Sequence, residues 1–253
     1  MKLHYKKMGS GQPLIILHGL FGSSDNWQTH GKKLSEYFEV YLVDQRNHGK
    51  SDWSDAFSYE LMAADLFEFV QEHNLEDFIL MGHSMGGKTA MYFAQEHEDL
   101  LDKLIVVDMG VKSYPVHHDR ILEGLKSLDL SIIDSRGDAQ KALAEYIDDA
   151  SIRQFLLKNL YWKTKGQLAW RINIPVLDGK IDEIVKELPH KEVLTDTLFM
   201  RGGKSNYILE EDTEQIKSYF PVSEIYSIES AGHWIHAEAP TEFIEKVLGY
   251  CLR

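Results

Sequence analysis

Short, nearly continuous aliphatic runs recur along the chain, and each stops at a turn residue. Leu14-Ile15-Ile16-Leu17 ends at His18-Gly19, Val40-Tyr41-Leu42-Val43 at Asp44, Phe78-Ile79-Leu80-Met81 at Gly82, and Leu104-Ile105-Val106-Val107 at Asp108. Four apolar residues in a row, without alternation, suit a strand covered on both faces, the environment of a parallel sheet between helical layers. The segments between them carry the other period. Met62, Leu66, Phe69 and Val70 fall on one helical stripe behind a capping Ser58. Pro240 suits a first helical position, ahead of a stripe of Phe243, Ile244, Val247, Leu248 and Cys251. Thr197–Met200 and Ser223–Ile228 read as two final strands. The alternation predicts an α/β fold with a mostly parallel central sheet flanked by helices.

The rhythm breaks between Val111 and Glu192. Helical stretches such as Arg120–Leu128, Ala139–Ile147 and Ile152–Leu160 replace the strands there. The expected organisation is a core built from 1–110 and 193–253, with a helical cap, 111–192, inserted between two strands and lacking a sheet of its own. Neither repeats nor low-complexity linkers interrupt the 253 residues.

Charge and cysteine content narrow the function classes. Twenty-seven basic and forty acidic side chains give −13, which argues against nucleic acid as a partner. A single cysteine, Cys251, rules out an intramolecular disulfide and fits a reducing compartment. The N-terminal stretch lacks the apolar core of a signal peptide, and no run approaches the ~20 apolar residues of a membrane span. The expectation is a cytoplasmic protein, monomeric or a small homo-oligomer, with a small-molecule substrate.

The strongest chemical signal is Gly82-His83-Ser84-Met85-Gly86, set between the strand-like Phe78–Met81 and the helix-compatible Thr89–Ala94. A G-x-S-x-G in that context predicts a nucleophile elbow: a sharp turn that strains Ser84 and lifts its oxygen to a helix N-terminus. His18-Gly19-Leu20-Phe21-Gly22 closes an early strand. Backbone N–H groups of Leu20, with Phe21 second, and of Met85 are the candidate oxyanion donors. Among twelve histidines, His233 in Ala231-Gly232-His233-Trp234 stands after the last strand, where a general base is needed, and His236 is the decoy. The remaining histidines lack metal-ligand spacing, so neither metal nor cofactor is expected. The acid is less obvious. The loop after the penultimate strand offers Ser205 where an aspartate is familiar. Asp108 lies 24 residues beyond Ser84, one helix and one strand on, with Glu210, Glu211 and Asp212 as outside candidates.

Together, His18–Trp27, Asp44–Ser51, Gly82–Lys88 and Gly232-His233-Trp234 resemble the α/β-hydrolase superfamily, and more narrowly the YbfF-type small esterases, from residue 13 to about 240. That resemblance implies Asp108 as the acid, with a serine such as Ser205 in the later loop. It favours carboxylic esters and acyl thioesters, including acyl-CoA. Phe21, Tyr114, Phe155, Trp162 and Ser205 are the expected substrate contacts, with Leu156 and Tyr161 as further cap walls. An anionic coenzyme would need local cations, of which Lys88 and Lys112 lie nearest in sequence. A serine at position 84 excludes dehalogenation through a carboxylate nucleophile. Carbon–carbon hydrolysis, acyl transfer to an acceptor and a non-enzymatic or single-turnover receptor share the same frame and stay open.

Overall fold

The computed structural model describes every residue except His117. The seven-stranded sheet takes β1 (Tyr5–Met8), β2 (Pro13–Leu17), β3 (Glu39–Val43), β4 (Phe78–His83) and β5 (Leu101–Val107) from the first part of the chain. Two more strands, β8 (Asp196–Gly202) and β9 (Ser223–Ile228), come from the last part. Their order is β1-β3-β2-β4-β5-β8-β9, and only β1 runs antiparallel to its neighbour. Between them lie α1 (Gln28–Leu34), α2 (Tyr59–Glu72) and α3 (Met85–His97). After β8 come α9 (Thr213–Tyr219), α10 (Ile235–Glu238) and α11 (Pro240–Cys251).

The alternation of strand side chains builds two apolar layers. Ile15, Leu17, Phe78, Leu80, Leu104, Val106 and Phe199 pack in a cluster with residues of α2, α3 and the cap. Leu14, Ile16, Ile79, Met81, Ile105, Val107, Leu198 and Met200 pack with α1 and α11 on the other side. Burial on both faces is why these strands read as unbroken aliphatic runs. The expected α/β architecture is the one observed. Sequence reasoning passed over β1, whose Lys6-Lys7 reads as a solvated pair. It is an edge strand, where lysines are tolerated.

Between β5 and β8 the chain forms α4 (Asp119–Ser127), α5 (Arg136–Leu143), α6 (Ala150–Leu157), α7 (Ile174–Gly179) and α8 (Ile181–Ile184). Ser135 and Asp149 cap α5 and α6, which start and stop earlier than the apolar stretches suggest. The insertion is not wholly helical: β6 (Leu160–Thr164) and β7 (Gln167–Trp170) pair as an antiparallel hairpin. A cap without a sheet of its own is therefore corrected. Arg171 N–H donates to Asn159 O at the hairpin's base, and the Asn159 amide donates to Phe21 O, so this base rests on the loop after β2. Among the described residues no helix is long and apolar enough to cross a membrane.

Candidate active site

Every residue of β4 is buried, and the chain leaves it through Ser84 at φ 53°, ψ −120° before entering α3. A side chain on Gly82 would put its Cβ 2.1 Å from Gly86 O, and one on Gly86 would put its Cβ 2.5 Å from His18 O. Both positions therefore demand glycine, and the close approach holds the turn in its strained form. Ser84 N–H donates to Val107 O at 2.9 Å, tying the turn to β5.

That bond brings the end of β5 beside the serine. Asp108 follows directly, at φ 50°, fully buried, with its N–H on Met200 O of β8. Its Oδ1 accepts from Gly202 N–H at 3.0 Å, and its Oδ2 accepts from the Ser205 hydroxyl and stands 2.7 Å from His233 Nδ1. His233 hangs from the loop after β9, and its Nε2 lies 3.0 Å from Ser84 Oγ. The Tyr207 ring stacks on this imidazole, with centroids 4.0 Å apart and planes 16° from parallel. Of the other candidate acids, Glu211 is exposed, and Glu210 and Asp212 are engaged elsewhere. Glu210 is exposed and pairs with Arg201, and Asp212 pairs with Lys112.

Phe21, at φ 59°, gives its N–H to His48 Nε2, whereas Leu20 and Met85 N–H carry no hydrogen bond among the described residues. Of the loop's two expected donors, Leu20 is the one left available. The cleft over Ser84 is lined by Leu20, Met109, Tyr114, His118, Ile184, Val185 and Tyr207. It offers only about 10 Å³ to the centre of a water molecule.

Residues 12–240 match the family described as the alpha/beta hydrolase fold. The chain belongs to that family. It is 35% identical to the Mus musculus sn-1-specific diacylglycerol lipase ABHD11, over 94% of this chain and 80% of that one. It is 32% identical to the Escherichia coli K12 esterase YbfF, over 95% and 93% of the two chains. A solved structure, a marine microorganism esterase, superposes with a TM-score of 0.95 at 44% identity, covering 98% of each chain.

On this hydrolase fold the remaining expected contacts are dispersed. Tyr114 reaches the cleft wall. Phe155 instead packs its ring against Trp234, and Trp162 is half exposed on β6. Ser205 bonds the Asp108 carboxylate rather than facing the cleft, and buried Phe21 sets its ring edge-on to His118 of the cleft wall, with its N–H taken by His48. Met109, Ile184, Val185 and Tyr207 had no sequence signal of their own, although Tyr207 stands two residues past Ser205. Lys88 and Lys112 are both committed, to backbone carbonyls and to Asp212 respectively. Arg46 holds a buried ion pair with Asp65, which anchors the Asp44–Ser51 loop to α2. His118 lines the cleft, and His117 lies outside the described residues.

Supporting histidines surround the site in neutral form. His48 gives Nδ1–H to Arg46 O and accepts from Phe21 N–H, so a proton on Nε2 would break that contact. Burial, with His18 beside it, pushes His48 down to about 3. Burial does the same for His236, with His30 and His233 nearby, although its ring stacks on Trp27. Both groups ionise far more readily in the unfolded chain, where histidine titrates near 6.5. Their contribution to stability is complete above pH ~6.5 and is lost as pH falls toward their folded values, by about 1.4 kcal/mol per pH unit for each. Thermal melts should show Tm falling by about 10 °C between pH 7 and pH 5. His236→Gln should flatten that slope, and a Tm independent of pH across this range would contradict the account.

Proposed function

We propose that this chain is a serine ester hydrolase acting through an acyl-enzyme, with Ser84 as nucleophile, His233 as general base and Asp108 as the orienting acid. The observation that carries the reading is the His233 imidazole, placed 3.0 Å from Ser84 Oγ and 2.7 Å from Asp108 Oδ2. Asp108 fixes the proton on Nδ1 and leaves Nε2 free to take the serine proton. The serine oxygen attacks the acyl carbon, and the carbonyl oxygen becomes an anion held by Leu20 and Met85 N–H. His233 then passes its proton to the leaving alcohol, and a water attacks the acyl-enzyme by the same route in reverse. The Tyr207 ring, lying flat on His233, favours the transient imidazolium through its π-face.

Esters as the substrate class are supported by the esterase and lipase names of the relatives. Acyl thioesters fall to the same attack, since only the leaving atom changes. From residue 150 to 177 the sequence holds Arg153, Lys158, Lys163, Lys165 and Arg171 and no acid, a local reversal of the net −13. Lys163 and Lys165 are exposed near the hairpin turn. Residues 111–192 act as the cap that walls the acyl side.

A p-nitrophenyl ester series from acetate to palmitate, run beside fluorophosphonate labelling and peptide mapping, tests the reading. The expected result is turnover with a chain-length optimum and one phosphonylated peptide carrying Ser84. An absence of both turnover and label would return weight to a ligand receptor.

A further inference from the structure

Among the described residues Lys88 is the one lysine with no exposed surface, and the acyl-transfer steps do not use it. It stands one helical turn after Ser84, its N–H on Ser84 O at 3.0 Å. Its Nζ donates to two backbone carbonyls, Lys112 O at 2.7 Å and Lys186 O at 2.8 Å. The first lies where the chain leaves the core for the cap, and the second where it returns. The same ammonium sits 5.1 Å from the centroid of the Tyr114 ring. Burial pulls its pKa down to about 7, against the attraction of Glu187. A buried amine at that desolvation cost depends on the two carbonyls that accept from it.

The two crossing segments are also bound to each other. Tyr114 N–H donates to Val185 O at 2.9 Å, and Leu188 N–H to Val111 O at 2.8 Å, in antiparallel sense. Met109 and Tyr114 on one segment, with Val185 and the adjoining Ile184 on the other, wall the cleft over Ser84. About 10 Å³ accommodates roughly one water and no acyl chain. An acyl chain seated in this cleft presses on these walls, and the hydrogen bonds that hold the walls in place include both of those made by Lys88 Nζ.

We propose that Lys88 is a positioning residue that sets acyl-chain selectivity by bolting together, from the core side, the two cap-crossing segments that wall the cleft. The proposal rests on the ester-hydrolase reading for its chemistry but not for its geometry. Lys88→Met keeps the stem and removes every donor. Measured per fluorophosphonate-titrated site, the ratio of kcat/KM for p-nitrophenyl octanoate to that for acetate should rise tenfold or more. A residue that only supported the fold would lower the titrated fraction and leave this ratio alone.

Hydrogen exchange supplies a readout independent of activity. The amides of Tyr114 and Leu188 should exchange at least tenfold faster in Lys88→Met, while those of β4 and β5 keep their rates. An unchanged ratio, or unchanged exchange at these two amides, overturns the proposal. If Lys88→Met does not fold, Lys88→Gln, smaller and retaining an NH₂ group, carries the same comparison with shifts in the same direction. If the wild type neither labels nor turns over, the ester-hydrolase reading has failed, and the exchange comparison still decides the clamp.

Discussion

Ser84→Ala is expected to lower ester turnover by about 10⁵–10⁶-fold, to the level left by the oxyanion donors and binding alone. The residues on either side of the serine cannot replace the lost oxygen. His233 Nε2 has Ser84 Oγ as its partner, and the adjacent residues His83 and Met85 bring no hydroxyl or thiol. Fluorophosphonate labelling should vanish in parallel. Stability should barely move. Alanine meets the same positive φ as serine, the turn is held by the Gly82 and Gly86 contacts, and only one hydrogen bond of the side chain is lost. The Tm of the variant should stay within a few degrees of wild type. Residual turnover above one-hundredth of wild type, in a preparation free of contaminating esterase, would remove Ser84 from the nucleophile's role.

The elbow was legible in the sequence because its constraints are local. A buried strand, two glycines at fixed spacing and an α-helix all lie within twenty residues, and each leaves its own mark. The neighbourhood of Asp108 was legible for a different reason: parallel strands set side by side bring consecutive carboxyl ends together, so the end of β5 abuts that of β4. The cap gave no such purchase. In β6 and β7 only Leu160 and Leu168 are buried, so neither strand has the period-two pattern that marks a half-covered sheet. The cleft walls were invisible for the same physical reason. Ile184 and Val185 reach Ser84 through a fold-back of about a hundred residues of chain, and no local spacing encodes that meeting. Tyr114, close behind β5 in the chain, does line the cleft. Phe155 and Trp162, aromatic residues of the cap, pack against Trp234 and lie half exposed, respectively. Ser205 lay in the expected loop but served the carboxylate rather than the cleft.

Asp108→Asn should cut kcat/KM by about 10⁴-fold while the protein remains folded, the loss found where an asparagine replaces a triad acid and reverses the histidine tautomer. The carboxylate here meets three donors: Gly202 N–H, the Ser205 hydroxyl and His233. An asparagine side chain has one oxygen and one NH₂. Its oxygen is claimed by Gly202 N–H, which the backbone holds in place, so the NH₂ must face Ser205 and His233. The serine hydroxyl can turn to accept. The imidazole can accept only by leaving Nδ1 bare, which moves its proton to Nε2, against Ser84, where it can no longer take the nucleophile's proton. The fold survives because each buried polar group still finds a partner. Ser205→Ala removes one donor and leaves the tautomer intact, so it should cost about tenfold, the order of one hydrogen bond to a charged group. Glu210→Gln and Asp212→Asn should stay within a few-fold of wild type, since their partners are Arg201 and Lys112. Steady-state kinetics on the four variants separate the cases. A near-silent Asp108→Asn beside a crippled Glu210→Gln or Asp212→Asn would place the acid in the later loop and leave Asp108 as a buried anchor between β5 and β8.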